Sequence, residues 1–245
     1  MRKTLRFVIG GSMLLTCAAF AWTGDEKDGR AIIIKSIEAT GGEKALAKHN
    51  SFTMKEKGTF HGTGMALPYT GNYAFQVPGQ FRMEIEGVFI IVFDKDKGWV
   101  SANGEVKEMS KEQLAVQTHD QRVRYMSTLL PLQDKAFTVK KLADAKVDKA
   151  EVHVVEVTRK DWPAMKIYFD KSNHYMVKLE YKTKFEDLQF KEATVDLAMS
   201  DFKEVDGAKV AHKMVMKRDG EVFVEGEVVE LKTGKLDPKV FEKPN

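Results

Sequence analysis

The sequence predicts a mainly β fold with helices, of the α+β class, built as a strongly curved antiparallel sheet that curls toward a barrel. Short segments of alternating apolar and polar residues fill most of the chain, separated by tight-turn dipeptides such as Asn103-Gly104, Asp206-Gly207 and Asp219-Gly220. No strand–helix–strand spacing interrupts them, so the strands should pair in antiparallel fashion. A single helical pattern lies at mid-chain. A long twisted sheet tends to curl, so we expect its concave face to cover that helix.

The mid-chain helix is predicted over residues 110–130. Ser110 and Gln113 have the spacing of a capping box, in which each side chain satisfies an unpaired amide of the first turn. Pro131 cannot continue a helix, so the helix should end near Leu130. Val123, Met126 and Leu130 fall on one face, which indicates that this face is buried against the sheet.

Two further helical segments are predicted near the N-terminus. Asp28 can cap a helix over residues 29–40, and Gly41-Gly42 should end it. A shorter helical piece follows at 43–49. The polar residues 22–29 are interpreted as a disordered leader.

Thirteen strand-like segments lie in two groups on either side of the mid-chain helix, and we expect roughly ten to twelve strands from them. The first group is predicted at residues 51–60, 69–77, 81–86, 88–93, 99–102 and 105–109. The second group is predicted at 137–142, 152–158, 165–169, 177–185, 193 to about 205, 210–217 and 222–231. The segment 88–93 is apolar throughout, which indicates burial on both faces or contact with the helix.

The first residues have the pattern of a secretory signal. Arg2, Lys3 and Arg6 precede a short apolar run at 7–15, and Ala19-Phe20-Ala21 supplies a cleavage site. We therefore predict a signal peptide at 1–21, a single domain at 22–245 and a periplasmic location. Acylation of Cys17, with anchoring to the outer membrane, is the alternative that the sequence leaves open. Cleavage after residue 21 would remove the one cysteine, and with it disulfide and thiol chemistry.

The charge distribution does not favour a nucleic-acid partner. The net charge of +3 comes from the signal, because without Arg2, Lys3 and Arg6 the 39 basic residues fall to 36, equal to the 36 acidic residues. Lys and Glu alternate along the strands, as on a solvated sheet face, instead of forming a basic patch.

No motif for catalysis or for a cofactor is present. The six histidines are scattered without metal-ligand spacing, and neither a G-x-S-x-G elbow nor a phosphate-binding loop occurs. We therefore predict no enzyme activity, no metal and no cofactor. The methionine content is the unusual feature, since methionine is enriched at adaptable binding surfaces and also fills irregular gaps in cores. The methionines concerned are Met54, Met65, Met83, Met126, Met165, Met176, Met199, Met214 and Met216.

Residues 69–114 resemble the LolA-like periplasmic lipoprotein carriers. The resemblance is carried by Pro78-Gly-Gln-Phe81, by the turn 94–98 ahead of Trp99, and by the hairpin that leads into the mid-chain helix. The closing segment 236–244 is similar to the last segment of that family, and Gly41-Gly42 is similar to its lipoprotein-sorting-like branch. Met83 departs from the family pattern, where Trp is usual, and Val77 stands where the carriers commonly have Arg.

The resemblance implies an unclosed barrel whose helices cover a hydrophobic cavity for acyl chains. We expect a monomer that binds a lipid or the acyl chains of a lipoprotein, with a membrane protein of the envelope as a further partner. The alternative is a sensory or protein-interaction module on the same scaffold. The residues predicted to line the cavity are Phe75, Phe81, Met83, Ile85, Phe89, Ile91, Trp99, Val123, Met126 and Leu130.

Overall fold

The alternating segments form one continuous antiparallel sheet in the computed structural model, which describes residues 24–245. The first strands are Ser51–Phe60 (β1), Leu67–Gln76 (β2), Gln80–Ile85 (β3), Phe89–Asp94 (β4), Lys97–Ala102 (β5) and Glu105–Glu108 (β6). The later ones are Thr138–Lys141 (β7), Ala145–Val147 (β8), Ala150–Thr158 (β9), Met165–Asp170 (β10), Met176–Phe185 (β11), Lys191–Val205 (β12), Ala208–Arg218 (β13) and Glu221–Thr233 (β14).

The strand order confirms the predicted fold class. Neighbouring strands run β6-β5-β4-β3-β2-β1-β14-β13-β12-β11-β10-β9-β7, and β6 and β7 are the two unjoined ends of the sheet. The described residues hold fourteen strands where the sequence predicted ten to twelve. One strand absent from the prediction is β8, whose three residues pair only with β9. The join between β1 and β14 unites the two strand groups in one sheet.

Within residues 24–245, three α-helices accompany the sheet: Gly24–Thr40 (α1), Glu43–Lys48 (α2) and Lys111–Ser127 (α3). The predicted disordered leader is wrong for residues 24–29, because α1 already begins at Gly24. The buried Arg30 explains the longer helix, since its guanidinium donates to the carbonyls of Leu132 and Phe137. Glu26 pairs with Arg30 across one turn and so fixes the start of α1. The predicted signal peptide, with Cys17, lies outside the described residues.

The start of α3 follows the prediction and its end does not. Ser110 Oγ accepts from the Gln113 amide, and Gln113 Oε1 accepts from the Ser110 amide, which completes the capping box. The helix ends at Ser127, three residues before the predicted end. Leu129 adopts a φ of 67°, which a right-handed helix does not allow, and the chain continues as a 3₁₀ turn over Leu130–Gln133.

The main buried cluster lies where α1 and α3 pack against the later strands. Ile33 and Ile37 of α1 meet Val123 and Met126 of α3, together with Ile167 of β10. All five are at most 5% exposed. Burial of this apolar stripe holds α3 on the inner face of the sheet.

The outer face of the first strands is covered by the C-terminus. Phe241, in the 3₁₀ turn Pro238–Phe241, packs with Ala74 and Val92, and Trp99 lies against this cluster. On the inner face, Phe93 packs with the aromatic residues of β2 and β3. Strand β4 is therefore buried on both faces, as its continuous apolar sequence predicts.

Within residues 24–245, no helix has both the length and the apolar character needed to cross a membrane.

Candidate functional site

A predominantly apolar space lies between the C-terminal end of α3 and the concave face of β1 and β12–β14. This concave pocket has a volume of about 310 Å³. Its apolar walls include Phe52 and Met54 of β1, Leu197 and Met199 of β12, Met214 of β13 and Leu231 of β14. The volume is at the lower end of the range found for small-molecule sites.

Strand register brings these side chains to one face. Met54 lies opposite Leu231, and Met199 lies opposite Met214, so each pair projects from the same side of the sheet. The register of β1 on β14 shifts between Lys55 and Glu56. This bulge lets both Val228 and Leu231 line the pocket although they are three residues apart.

Four of the nine methionines singled out in the sequence line this pocket: Met54, Met176, Met199 and Met214. Methionine is unbranched and polarizable, so such a wall can reshape around apolar ligands of different form. Met126 and Met165 are core residues instead.

The charged residues of the pocket wall are all basic. Arg124, Lys209 and Lys213 line it with His49 and His212, and no Asp or Glu of the described residues is among those that line it. Lys209 pairs with Glu204 at 3.1 Å, and the exposed Lys213 is 3.9 Å from Glu227. His49 and His212 each form a hydrogen bond with a backbone carbonyl oxygen. Arg124 is thus the lining cation that lacks such a partner.

Arg124 reaches from α3 onto the aromatic residues of the first strands. Its guanidinium lies 4.6 Å from the ring centroids of both Phe75 and Phe81. Its Nη1 atom is buried and forms no hydrogen bond within the described part of the chain. Burial lowers the pKa of Arg124, with the charge of Asp120 opposing that effect. The guanidinium still carries its positive charge at neutral pH.

A buried acid lies farther along the same face of β1. Glu56 is 0% exposed, and its Oε1 accepts hydrogen bonds from the hydroxyls of Tyr69 and Tyr73. Its Oε2 has no partner among residues 24–245. Burial raises the pKa of the Glu56 carboxyl, and the two tyrosine hydrogen bonds oppose the rise. The side chain packs over Gly226, which leaves room for it.

None of the ten residues predicted to line a cavity lines the concave pocket. Phe75 and Phe81 form an aromatic cluster beside it, and Arg124 connects that cluster to the pocket. Met83 and Ile91 face a separate, smaller space beneath the N-terminal half of α3. Ile85 and Phe89 are a half-buried pair near the turn between β3 and β4.

The other four predicted residues serve the core. Val123 and Met126 belong to the main buried cluster, against which Leu130 packs. Trp99 requires a correction, because it lies on the outer face of the sheet. It pairs with Val92, whose side chain contacts Phe241, so both project away from α3. The methionine content of the later strands was the sequence feature that could have indicated the pocket walls. No feature of the sequence singled out Arg124.

No group of three or more His, Cys, Asp or Glu side chains within residues 24–245 could hold a metal ion. The hydroxyls of Ser127 and Thr128 in the pocket wall donate to carbonyls of the last helical turn. The apolar wall of the concave pocket can desolvate an apolar molecule, and its basic side chains can bind an anionic group.

Comparison with known proteins gives matches at the level of structure. No protein-family model matches the sequence, and no curated protein matches it significantly. A LolA superfamily protein from Nitrosomonas europaea is 15% identical, with a TM-score of 0.57 over 88% of this chain and 97% of its own. An outer membrane lipoprotein-sorting protein domain from Vibrio parahaemolyticus is 14% identical, with a TM-score of 0.52 over 81% and 95%.

A DUF1329 family protein from Desulfovibrio piger is also similar, at 14% identity and a TM-score of 0.58 over 90% of this chain and 98% of its own. All three alignments span nearly the whole of the known structure, so they compare complete folds. Identities this low establish the fold alone. The resemblance predicted from the sequence is confirmed at that level: the chain has the α+β fold of the LolA superfamily and of lipoprotein-sorting-like domains.

Proposed function

We propose that this protein is a periplasmic binding or carrier protein whose concave pocket holds acyl chains of a lipoprotein or of another lipid. The observation that supports this most directly is the 310 Å³ space with apolar walls between α3 and the concave face. The similarity to a lipoprotein-sorting protein domain agrees with it. No catalytic step forms part of the proposal.

Desolvation of the acyl chain would supply the binding energy. Each Å² of apolar surface removed from water contributes about 25 cal/mol. An acyl chain along Leu197, Met199 and Met214 would therefore bind without directional contacts. The flexible methionines would let the wall accept chains of different shape.

The first experiment is native mass spectrometry of the protein purified from the bacterial envelope, followed by organic extraction of bound molecules. A bound lipid or acylated peptide is expected, and its mass would identify the ligand. Protein that is empty and takes up no fluorescent fatty acid would contradict the proposal. That result would favour an interaction module, and the search would then turn to a protein partner.

A charge placed in the pocket wall tests the location. Met214→Glu is expected to weaken the binding of a fluorescent fatty acid at least about tenfold, because the carboxylate would have to be desolvated beside the chain. Val229→Glu is the matched control, since Val229 is 51% exposed on β14 and does not line the pocket. Met126 is unsuited to this test because it is fully buried in the core. Equal binding by both variants and the wild type would place the ligand elsewhere.

A further inference from the structure

We propose that the concave pocket selects single-chain amphiphiles with an anionic head group, and that Arg124 is the residue that binds this head group. The inference rests on the proposed function, since it assumes that the pocket holds an acyl chain. It adds a head-group site and a charge selectivity. Fatty carboxylates represent the ligand class.

The charge of the pocket wall is the first argument. Three basic residues and two histidines line a largely apolar space, and no acidic residue of 24–245 lines it. An anionic ligand would meet no repulsion from this wall, whereas a cationic one would meet no partner. Charge complementarity of this kind determines which ligand is accepted.

The state of Arg124 is the second argument. Lys209 and Lys213 already have carboxylate partners at 3.1 and 3.9 Å. Arg124 forms no ion pair within residues 24–245, and its Nη1 has no hydrogen-bond partner there. An unpaired buried charge is unfavourable, and a ligand carboxylate would relieve this cost. The planar guanidinium suits a carboxylate, which it can bind through two parallel hydrogen bonds.

The aromatic contacts fix the head-group site in position. Phe75 and Phe81 both lie 4.6 Å from the Arg124 guanidinium, and Tyr73 stacks on Phe75. Such cation–π contacts hold the face of the guanidinium and leave its N–H edge to bind an anion. Thr128 and Leu129, just beyond the end of α3, line the same pocket, so the head group and the chain would lie side by side.

The competing explanation is that the two rings alone satisfy Arg124, which would then be a structural residue. Neither nearby acid forms an ion pair with Arg124 among residues 24–245, although the charge of Asp120 partly offsets the effect of burial. Asp120 lies one turn earlier on α3, and its Oδ1 is occupied by Thr183 and His119. Glu56 accepts hydrogen bonds from Tyr69 and Tyr73, and burial raises the pKa of its carboxyl, which favours the neutral form.

The test compares dodecanoate with dodecanol, which share a chain and differ in charge, by titration calorimetry at about pH 8, where the carboxylate is ionised. Wild-type protein is expected to bind dodecanoate about tenfold or more tighter than dodecanol. In Arg124→Met that preference should disappear, with dodecanol binding retained. Arg122→Met is the control: Arg122 lies on the same helix, contacts Trp162 and does not line the pocket.

The outcomes separate the two proposals. If wild-type protein binds neither compound, the acyl-chain function itself fails. If it binds both with equal affinity, the acyl-chain function stands and the head-group site is overturned. The wild-type ratio decides this even if Arg124→Met fails to fold. An unchanged preference in a folded Arg124→Met protein would also overturn the role of Arg124.

Discussion

Glu56 is a carboxyl group with no solvent exposure, and its burial gives the stability of the protein a pH dependence. Because burial raises its pKa in the folded state above the ordinary 4.5, the folded protein holds this proton more tightly than the unfolded chain. The stability due to the protonated form is fully present below the unfolded pKa. It is lost as the pH rises through the folded pKa.

Glu56→Gln should therefore become more stable relative to wild type as the pH rises above about 5. The relative gain should approach about 1.4 kcal/mol per pH unit inside the window between the two pKa values. Urea unfolding of both proteins at about pH 5, 6 and 8 would measure it.

Glu86→Gln is the control for this pH series. Glu86 is exposed, and hydrogen bonds from Asn72 and Lys55 lower the pKa of its carboxyl. The stability that depends on Glu86 therefore changes with pH only below the pH range of this series. Above about pH 5, the difference in unfolding free energy between Glu86→Gln and wild type should be constant. A difference for Glu56→Gln that is equally flat would mean that Glu56 does not have a raised pKa.

At the scale of single elements, the end of α1 depends on two glycines with different surroundings. Gly41 has a φ of 128°, and a Cβ there would lie 2.1 Å from the carbonyl oxygen of Gly207 in the β12–β13 turn. Gly42 has a φ of 83°, with no atom within 4 Å of its Cβ position. The helix therefore docks onto the sheet through a contact that only glycine allows at position 41.

Alanine substitution should separate these two effects. Gly42→Ala carries only the strain of a positive φ with ψ near 170°, which is essentially restricted to glycine, and should lose roughly 1–3 kcal/mol of unfolding free energy. Gly41→Ala adds a clash with backbone and should lose roughly 2–5 kcal/mol. Thermal and urea unfolding of both variants would measure the losses. Equal losses would show that the Gly207 contact yields without cost.

The elements were predictable where their causes are local. The capping box at Ser110 and the turn at Asn103-Gly104 depend on adjacent residues, and the structure confirms both. The start of α1 depends on carbonyls more than 100 residues away, which accept from Arg30, and it was missed. The end of α3 depends on the conformation of Leu129, for which Pro131 two residues later gave only an approximate position.

At the scale of the whole molecule, the fold class could be predicted from strand alternation, whereas the position of the pocket could not. The prediction placed the pocket walls on the first strands, at residues such as Phe81 and Ile91. The walls instead come largely from β12–β14, because α3 buries Val123 and Met126 in the core and turns Arg124 toward the space beside them. Which strands the sides of α3 meet is decided by the pairing of β1 with β14, which joins the two strand groups and which no local pattern encodes.

The two faces of the sheet have separate roles, and this separation gives the last prediction. Phe241 is 1% exposed in the outer cluster with Val92, on the face opposite to the concave pocket. Phe241→Ala should therefore lower the free energy of unfolding by about 3–5 kcal/mol while leaving the affinity for dodecanol unchanged. Leu231 is half-buried in the pocket wall, so Leu231→Ala should weaken dodecanol binding with a smaller loss of stability.

Urea unfolding and calorimetric titration of the same two variants would test this separation of roles. If Phe241→Ala weakened dodecanol binding as much as Leu231→Ala, the two faces would be coupled. Ligand affinity would then depend on the curvature of the whole sheet. If only Leu231→Ala weakens binding, the outer cluster stabilises the scaffold without contributing to the pocket. That independence of the two faces would let one scaffold accept different amphiphiles through changes in the pocket wall alone.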